Sequence, residues 1–130
     1  MAIYLLDTSV IIDALSQKKN RNSLLLDLVE RGHTLACCPI SVAEIYAGMR
    51  SKEEQRTLDL LSSLQFFPIS FRIAELAGRL KQIYSRKGRT LSIPGTMIAA
   101  VAIDNQLTLL TDNTRDFPMK ELHQYPLPQT

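Results

Sequence analysis

The chain has 130 residues, 45% hydrophobic and 22% charged, with a formal net charge of +2. That size and balance predict one domain, residues 1–130, with a real core, and exclude a disordered segment. The charge is too small to mark a nucleic-acid binder, and no apolar run reaches the ~20 residues of a membrane span. The start, "MAIYLLDTSVIIDAL", is broken by Asp7 and Asp13 and lacks a basic opening, so no signal peptide is expected. A soluble, cytoplasmic protein with no membrane partner follows as the expectation.

In chain order, "AIYLLD" reads as a buried strand and "TSVIIDAL" as a helix. A second helix, "NSLLLDLVERG", ends at Gly32, as helices often do. "TLACCPI" is a second strand. Its adjacent Cys37 and Cys38 would point to opposite faces, so two buried, reduced thiols are expected rather than a strained bridge. "SVAEIYAGM" and "SKEEQRTLDLLSSL" read as helices, the latter with Leu58, Leu61 and Leu64 on one face. "QFFPIS" is a strand weakened by Pro68, and "FRIAELAGRLKQIYSRKG" a long amphipathic helix stopping near Gly88. "IPGTMIAAVAIDN" is a helix leading into the strand "LTLLT"; the loop "DNTRDF" and a short last strand around "HQYPL" follow. Short apolar strands alternating with helices predict an α/β fold: a mostly parallel sheet covered on both faces, with ligands outside the carboxyl ends of the strands.

Acids gather at those ends. Asp7 follows the first strand, Glu44 opens the helix after the second, and Asp112 and Asp116 lie in the loop after the fourth. Singly, each has a structural explanation. Asp7 can cap a helix, "SVAE" can form a Ser41-to-Glu44 capping box, and Asp112 and Asp116 are ordinary turn residues. Together they predict an anionic rim. Clustered carboxylates repel unless a cation joins them, and an all-oxygen set favours Mg²⁺ or Mn²⁺, which suits phosphoryl chemistry. His33 and His123 are isolated, and no Ser-His-Asp set or glycine-rich phosphate loop occurs.

Gly95 is out of place. "LSIPGTMIAAVA" opens a helix with Ser92 as cap and Pro94 in the first turn. A glycine there costs roughly 1 kcal/mol against alanine, where the helix dipole favours an acid.

"YLLDTSVIID", "PISVAEIYAG" and "LSIPGTMIAAVAIDNQLTLLTDNTRDF", in this order and over nearly the whole chain, resemble a PIN-domain ribonuclease, above all the VapC toxins of bacterial VapBC toxin–antitoxin pairs. The resemblance implies an α/β/α sandwich and Mg²⁺- or Mn²⁺-dependent RNA cleavage that leaves a 5′-phosphate and a 3′-hydroxyl. It also implies a homodimer and inhibition by a cognate VapB-like antitoxin. Carried over, the catalytic and metal-binding acids are Asp7, Glu44 and Asp116, with Asp112 as a further candidate ligand. Thr8, Thr111 and Asn113 match supporting polar positions. The remaining family acid falls at Gly95. Either this is a natural member with a weakened site, or the glycine was introduced to disarm a toxic nuclease. A family-typical neighbourhood, with this one position a single base from aspartate, favours the second.

Basic residues flank the acids. Arg79 and Lys81 read as a solvated helix face, as do Lys18, Lys19 and Arg21 in "QKKNR". The denser "SRKGR" places Arg86, Lys87 and Arg89 as a candidate RNA-phosphate patch just before the Gly95 helix. Tyr46, Met49, Leu58 and Leu61 read mostly as core, although the resemblance implies that this helical region helps form the antitoxin groove and leaves some of them exposed. The competing reading is a protein of this fold that binds RNA or an antitoxin without cutting. A phospho-accepting receiver lacks its acceptor Asp and its Lys, and a haloacid-type phosphatase would need an acid where Ser9 stands.

Overall fold

The computed structural model describes residues 1–128. The first strand, β1 (Ile3–Leu6), leads into α1 (Thr8–Leu15) and α2 (Arg21–Glu30). Then come β2 (Thr34–Cys37), α3 (Pro39–Gly48), α4 (Glu54–Ser62) and the two-residue β3 (Gln65–Phe66). The chain continues through α5 (Phe71–Arg86), α6 (Ile93–Asn105), β4 (Thr108–Leu110) and β5 (His123–Tyr125). Short 3₁₀ turns cover Ser51–Glu53 and Thr114–Asp116. Several predicted boundaries move, and the strands read over 34–40 and 65–70 shorten to Thr34–Cys37 and Gln65–Phe66. The helix read from Ser41 starts at Pro39, and the one read from Ser51 splits into a 3₁₀ turn and α4.

The five strands form one sheet in the order β3-β2-β1-β4-β5, every pairing parallel. Side chains alternate across it, so neighbouring residues serve different cores. Leu5, Ala36, Cys38 and Leu109 face α5 and α6. Leu6, Leu35, Cys37 and Leu110 face α1 to α4. The expected three layers are therefore present, and the vicinal cysteines are free, buried and divided between the layers. Burial pushes the Cys37 thiol up to about 11 and raises that of Cys38, so both stay protonated near neutral pH.

Glycine ends two of the helices. Gly32 (φ 89°) and Gly88 (φ 81°) adopt the left-handed backbone after α2 and α5, letting His33 N–H reach Leu28 O and Arg89 N–H reach Tyr84 O. The α1–α2 turn has no glycine, yet Gln17, Lys19 and Asn20 all sit at φ 56°. Such a backbone costs roughly 1–2 kcal/mol per L-residue, less for Asn, and needs support from its surroundings. No helix among the described residues is long and apolar enough to cross a membrane.

Candidate active site at the switch point of the sheet

From β1 the chain runs outward to β2 and β3, then returns to place β4 on the other side of β1. The carboxyl ends of β1 and β4 are thus the point where the winding reverses, the place where open α/β sheets bind ligands. Leu6 pairs with Leu110, so Asp7 and Thr111 emerge side by side. Asp7 N–H donates to Leu110 O (2.9 Å), and Thr111 Oγ1 donates to Asp7 Oδ2 (2.7 Å). The other carboxylate oxygen, Oδ1, accepts from Thr8 N–H at 2.8 Å as the N-cap of α1.

The capping role expected of Asp7 is therefore filled by a side chain that also lines the cleft. Asp7 is 7% exposed, and burial is the largest influence on its carboxyl, raising it from the ordinary 3.8. The Thr111 and Thr8 hydrogen bonds pull the other way, while the charges of Glu44 and Asp116 push it further up.

Thr8 ties two acids together: its backbone N–H holds Asp7, and its hydroxyl donates to Glu44 Oε1 at 2.6 Å. Ser41 Oγ lies 2.9 Å from the same hydroxyl. The expected Ser41-to-Glu44 capping box does not form. Pro39 stands at the start of α3, which places Ser41 inside the first turn, fully buried, and Glu44 one turn later. Glu44 is thereby left facing Thr8.

These residues line one cleft of about 400 Å³, among them Asp7, Thr8, Glu44, Gly95, Asn113 and Asp116. Thr111 is buried beneath it, accepting from Asn113 N–H (2.9 Å) while it holds Asp7. Ser9, unassigned by sequence, also lines the cleft, and its buried hydroxyl has no hydrogen-bond partner among the described residues. Its only sequence signal is its place two residues after Asp7.

Asp112 departs from expectation. It is not among the cleft residues. Its carboxylate is drawn onto the buried Arg21, with Oδ1 2.6 Å from Nη2, in an ion pair beside the cleft. Arg21 in turn is no solvated residue, at 1% exposure.

The donors fit a hard divalent cation in kind, being carboxylate and hydroxyl oxygens, with the Cys38 thiol held protonated by burial. They fall short in number. Among the described residues no group of three His, Cys, Asp or Glu side chains stands close enough to hold a metal ion. The expectation of four crowded acids is corrected accordingly: Asp7, Glu44 and Asp116 share a cleft that Gly95 also lines, Asp7 held by Thr111 Oγ1 and Thr8 N–H and Glu44 by Thr8 Oγ1.

Gly95 is the third residue of α6, its N–H donating to Ser92 Oγ at 3.0 Å. Its backbone is not left-handed, so no conformational demand explains the glycine. A Cβ there would meet Ser92 Oγ at 2.9 Å, so the capping hydroxyl would have to give slightly to admit a side chain.

A parallel sheet of this order with acids at its switch point is the setting of the match found by family comparison: the PIN-domain family model covers residues 4–121. The chain belongs to the PIN-domain family. Within it, the chain is 31% identical over 115 residues to Ribonuclease VapC19 of Mycobacterium tuberculosis, covering 88% of this chain and 92% of that one. It is 28% identical over 120 residues to Ribonuclease VapC2 of Rickettsia felis, covering 88% and 90%. Among solved structures, VapBC2 of Rickettsia felis bound to a DNA fragment from its promoter superposes with a TM-score of 0.81 at 28% identity, covering 95% of this chain and 97% of that one. A toxin–antitoxin complex from Klebsiella pneumoniae gives a TM-score of 0.75 at 30% identity, covering 92% and 94%.

Proposed function

We propose that this chain is the toxin of a toxin–antitoxin pair, an endoribonuclease dependent on Mg²⁺ or Mn²⁺, with activity lowered by Gly95. The observation that carries this reading is the arrival of Asp7, Glu44 and Asp116, from three separate segments, on one cleft at the sheet's switch point beside Gly95. In this reading those three acids are the catalytic and cation-holding groups. Thr8 fixes the relation of Asp7 to Glu44, Thr111 aims Asp7, and Asn113 orders water at the cleft mouth. Asp7, Glu44 and Asp116 would hold the cation, which would supply neutralisation of phosphate charge and acidification of a water.

The RNA strand would follow Arg86, Lys87 and Arg89, all exposed and free of ion pairs among the described residues. Tyr84 connects this end of α5 to the cleft loop: its hydroxyl donates to Pro118 O at 3.2 Å, and Lys87 Nζ lies 5.0 Å from its ring centre. Replacing Arg86 and Lys87 by Gln should weaken RNA binding and reduce the slope of log affinity against log salt by about 1–2. An unchanged slope removes the patch from the account.

The partner in this reading is a VapB-like antitoxin, and the toxin itself a homodimer. An apolar groove of about 590 Å³, lined by Leu25, Leu26, Val29, Leu35, Leu60 and Leu64, is suited to an amphipathic segment. Leu26 is 61% exposed on the isolated chain. Tyr46 and Leu58 are exposed, whereas Leu61 is core.

The shortage of converged acids favours a second reading, a PIN-fold protein that binds RNA or an antitoxin without cutting. End-group analysis separates the two. Slow, chelator-sensitive cleavage giving 5′-phosphate ends supports the nuclease. No product, or cyclic-phosphate ends insensitive to chelator, contradicts it.

A further inference from the structure

Arg21 lies outside the cleft, and its guanidinium ties three chain segments together. Nη2 donates to Asp112 Oδ1 (2.6 Å) and to Pro128 O (3.1 Å), and Nη1 donates to Lys19 O (3.2 Å). Lys19 Nζ adds longer contacts to Asp13 Oδ2 (3.5 Å) and Asp112 Oδ2 (3.9 Å). The strained α1–α2 turn, the loop after β4 and the C-terminal segment therefore meet on one buried cation. Asp112 stands between Thr111, whose hydroxyl aims Asp7, and Asn113, whose N–H rests on that hydroxyl.

Stability alone gives a poor account of this pair. Arg21 Nε and Asp112 Oδ2 lack hydrogen-bond partners among the described residues, and a buried ion pair with open valences adds little over apolar side chains filling the same space. What a charge-assisted guanidinium–carboxylate bond supplies is a fixed geometry.

We propose that Arg21 is a positioning residue for the cleft. By holding Asp112 it fixes the segment from Thr111 to Asp116, and with it the spacing of Asp7 and Asp116. This rests on the reading of the cleft as a divalent-cation site.

Arg21→Ala would strand a buried carboxylate and can simply unfold the chain, so the informative variant is the double replacement Arg21→Met with Asp112→Leu. It removes the pair without leaving a buried charge, and it is made in the Gly95→Asp background. Three quantities are measured: the Tm, the exchange rates of the Asn113 and Asp116 amides (hydrogen-bonded to Thr111 Oγ1 and Asn113 O), and Mn²⁺ affinity by calorimetry.

Positioning predicts a Tm close to the parent's, exchange at those two amides at least about tenfold faster than at core amides relative to the parent, and Mn²⁺ bound about tenfold more weakly. A folded double variant with parental exchange and affinity overturns the proposal, as does uniform acceleration of every amide. Should the double variant not fold, Arg21→Lys, which keeps the charge but cannot make the forked bonds to Asp112 Oδ1, Lys19 O and Pro128 O together, takes its place with the same readouts and the same expected results. If the Gly95→Asp parent itself binds no Mn²⁺, the cation-site reading fails, while the exchange rates still decide the clamp.

Discussion

Gly95→Asp should raise divalent-dependent RNA cleavage by about 100-fold or more, the scale on which one charge-stabilising group alters turnover. It should tighten Mn²⁺ binding about tenfold or more. The fold is prepared for the change. The glycine sits in an ordinary helical conformation in the first turn of α6, and the new Cβ meets only the Ser92 hydroxyl, the end of a short side chain that must shift slightly while it caps the helix.

Two local terms favour the acid: relief of a glycine penalty of roughly 1 kcal/mol and a helix-dipole gain of about 0.3–1 kcal/mol. Repulsion from Asp7, Glu44 and Asp116 opposes both. Without metal, then, the Tm should change little or fall. With Mn²⁺ at 100 times its Kd the variant should gain about 2.7 kcal/mol. Equal cleavage by both forms would refute a ligand role for this position.

Asp7→Asn, placed in the same background, should abolish cleavage and at the same time stabilise the metal-free protein near neutral pH. Asp7 is buried, and desolvation raises its carboxyl above the ordinary 3.8 despite the donors Thr111 and Thr8. The native state therefore holds this proton more tightly than the unfolded chain does. The sign follows: the contribution of Asp7 to stability is complete below 3.8 and is lost as pH rises through the elevated native value.

Asparagine removes that ionisation, still caps α1 by accepting from Thr8 N–H, and can donate to the Thr111 hydroxyl. A gain on the order of 1 kcal/mol at pH 7 to 8 in chelator is expected, of the size seen when function is traded for stability. The gain should shrink toward zero near pH 4. A variant less stable than its parent at pH 7.5 would show that the hydrogen bonds to the carboxylate outweigh its burial.

The fold was legible wherever the signal was local. Short apolar runs became strands, and the period of two sent Cys37 and Cys38 into different cores. Gly32 and Gly88 ended helices through their left-handed backbone. β3 shrank to two residues ahead of Pro68, as a residue without an N–H demands.

The candidate acids were legible as positions near strand ends, but their partners were not. "SVAE" carries the letters of a capping box, and only the earlier start of α3 at Pro39 shows that Ser41 is buried and Glu44 turns to Thr8. Asp112 looked like a ligand because its partner is 91 residues away, in a run of basic residues that reads as surface. Pairings over such separations leave no periodic trace in a single sequence.

The central claim is that Asp7, Glu44 and Asp116 form a divalent-cation site missing one member at position 95. Crystals of the Gly95→Asp variant soaked in Mn²⁺ and measured at the manganese absorption edge test it most directly. An anomalous peak in the cleft, with the carboxylates of Asp7, Asp116 and the introduced side chain at about 2.0–2.2 Å and Glu44 beside it, is the predicted result. A cleft without such a peak, or manganese bound elsewhere with these acids unliganded, would contradict it.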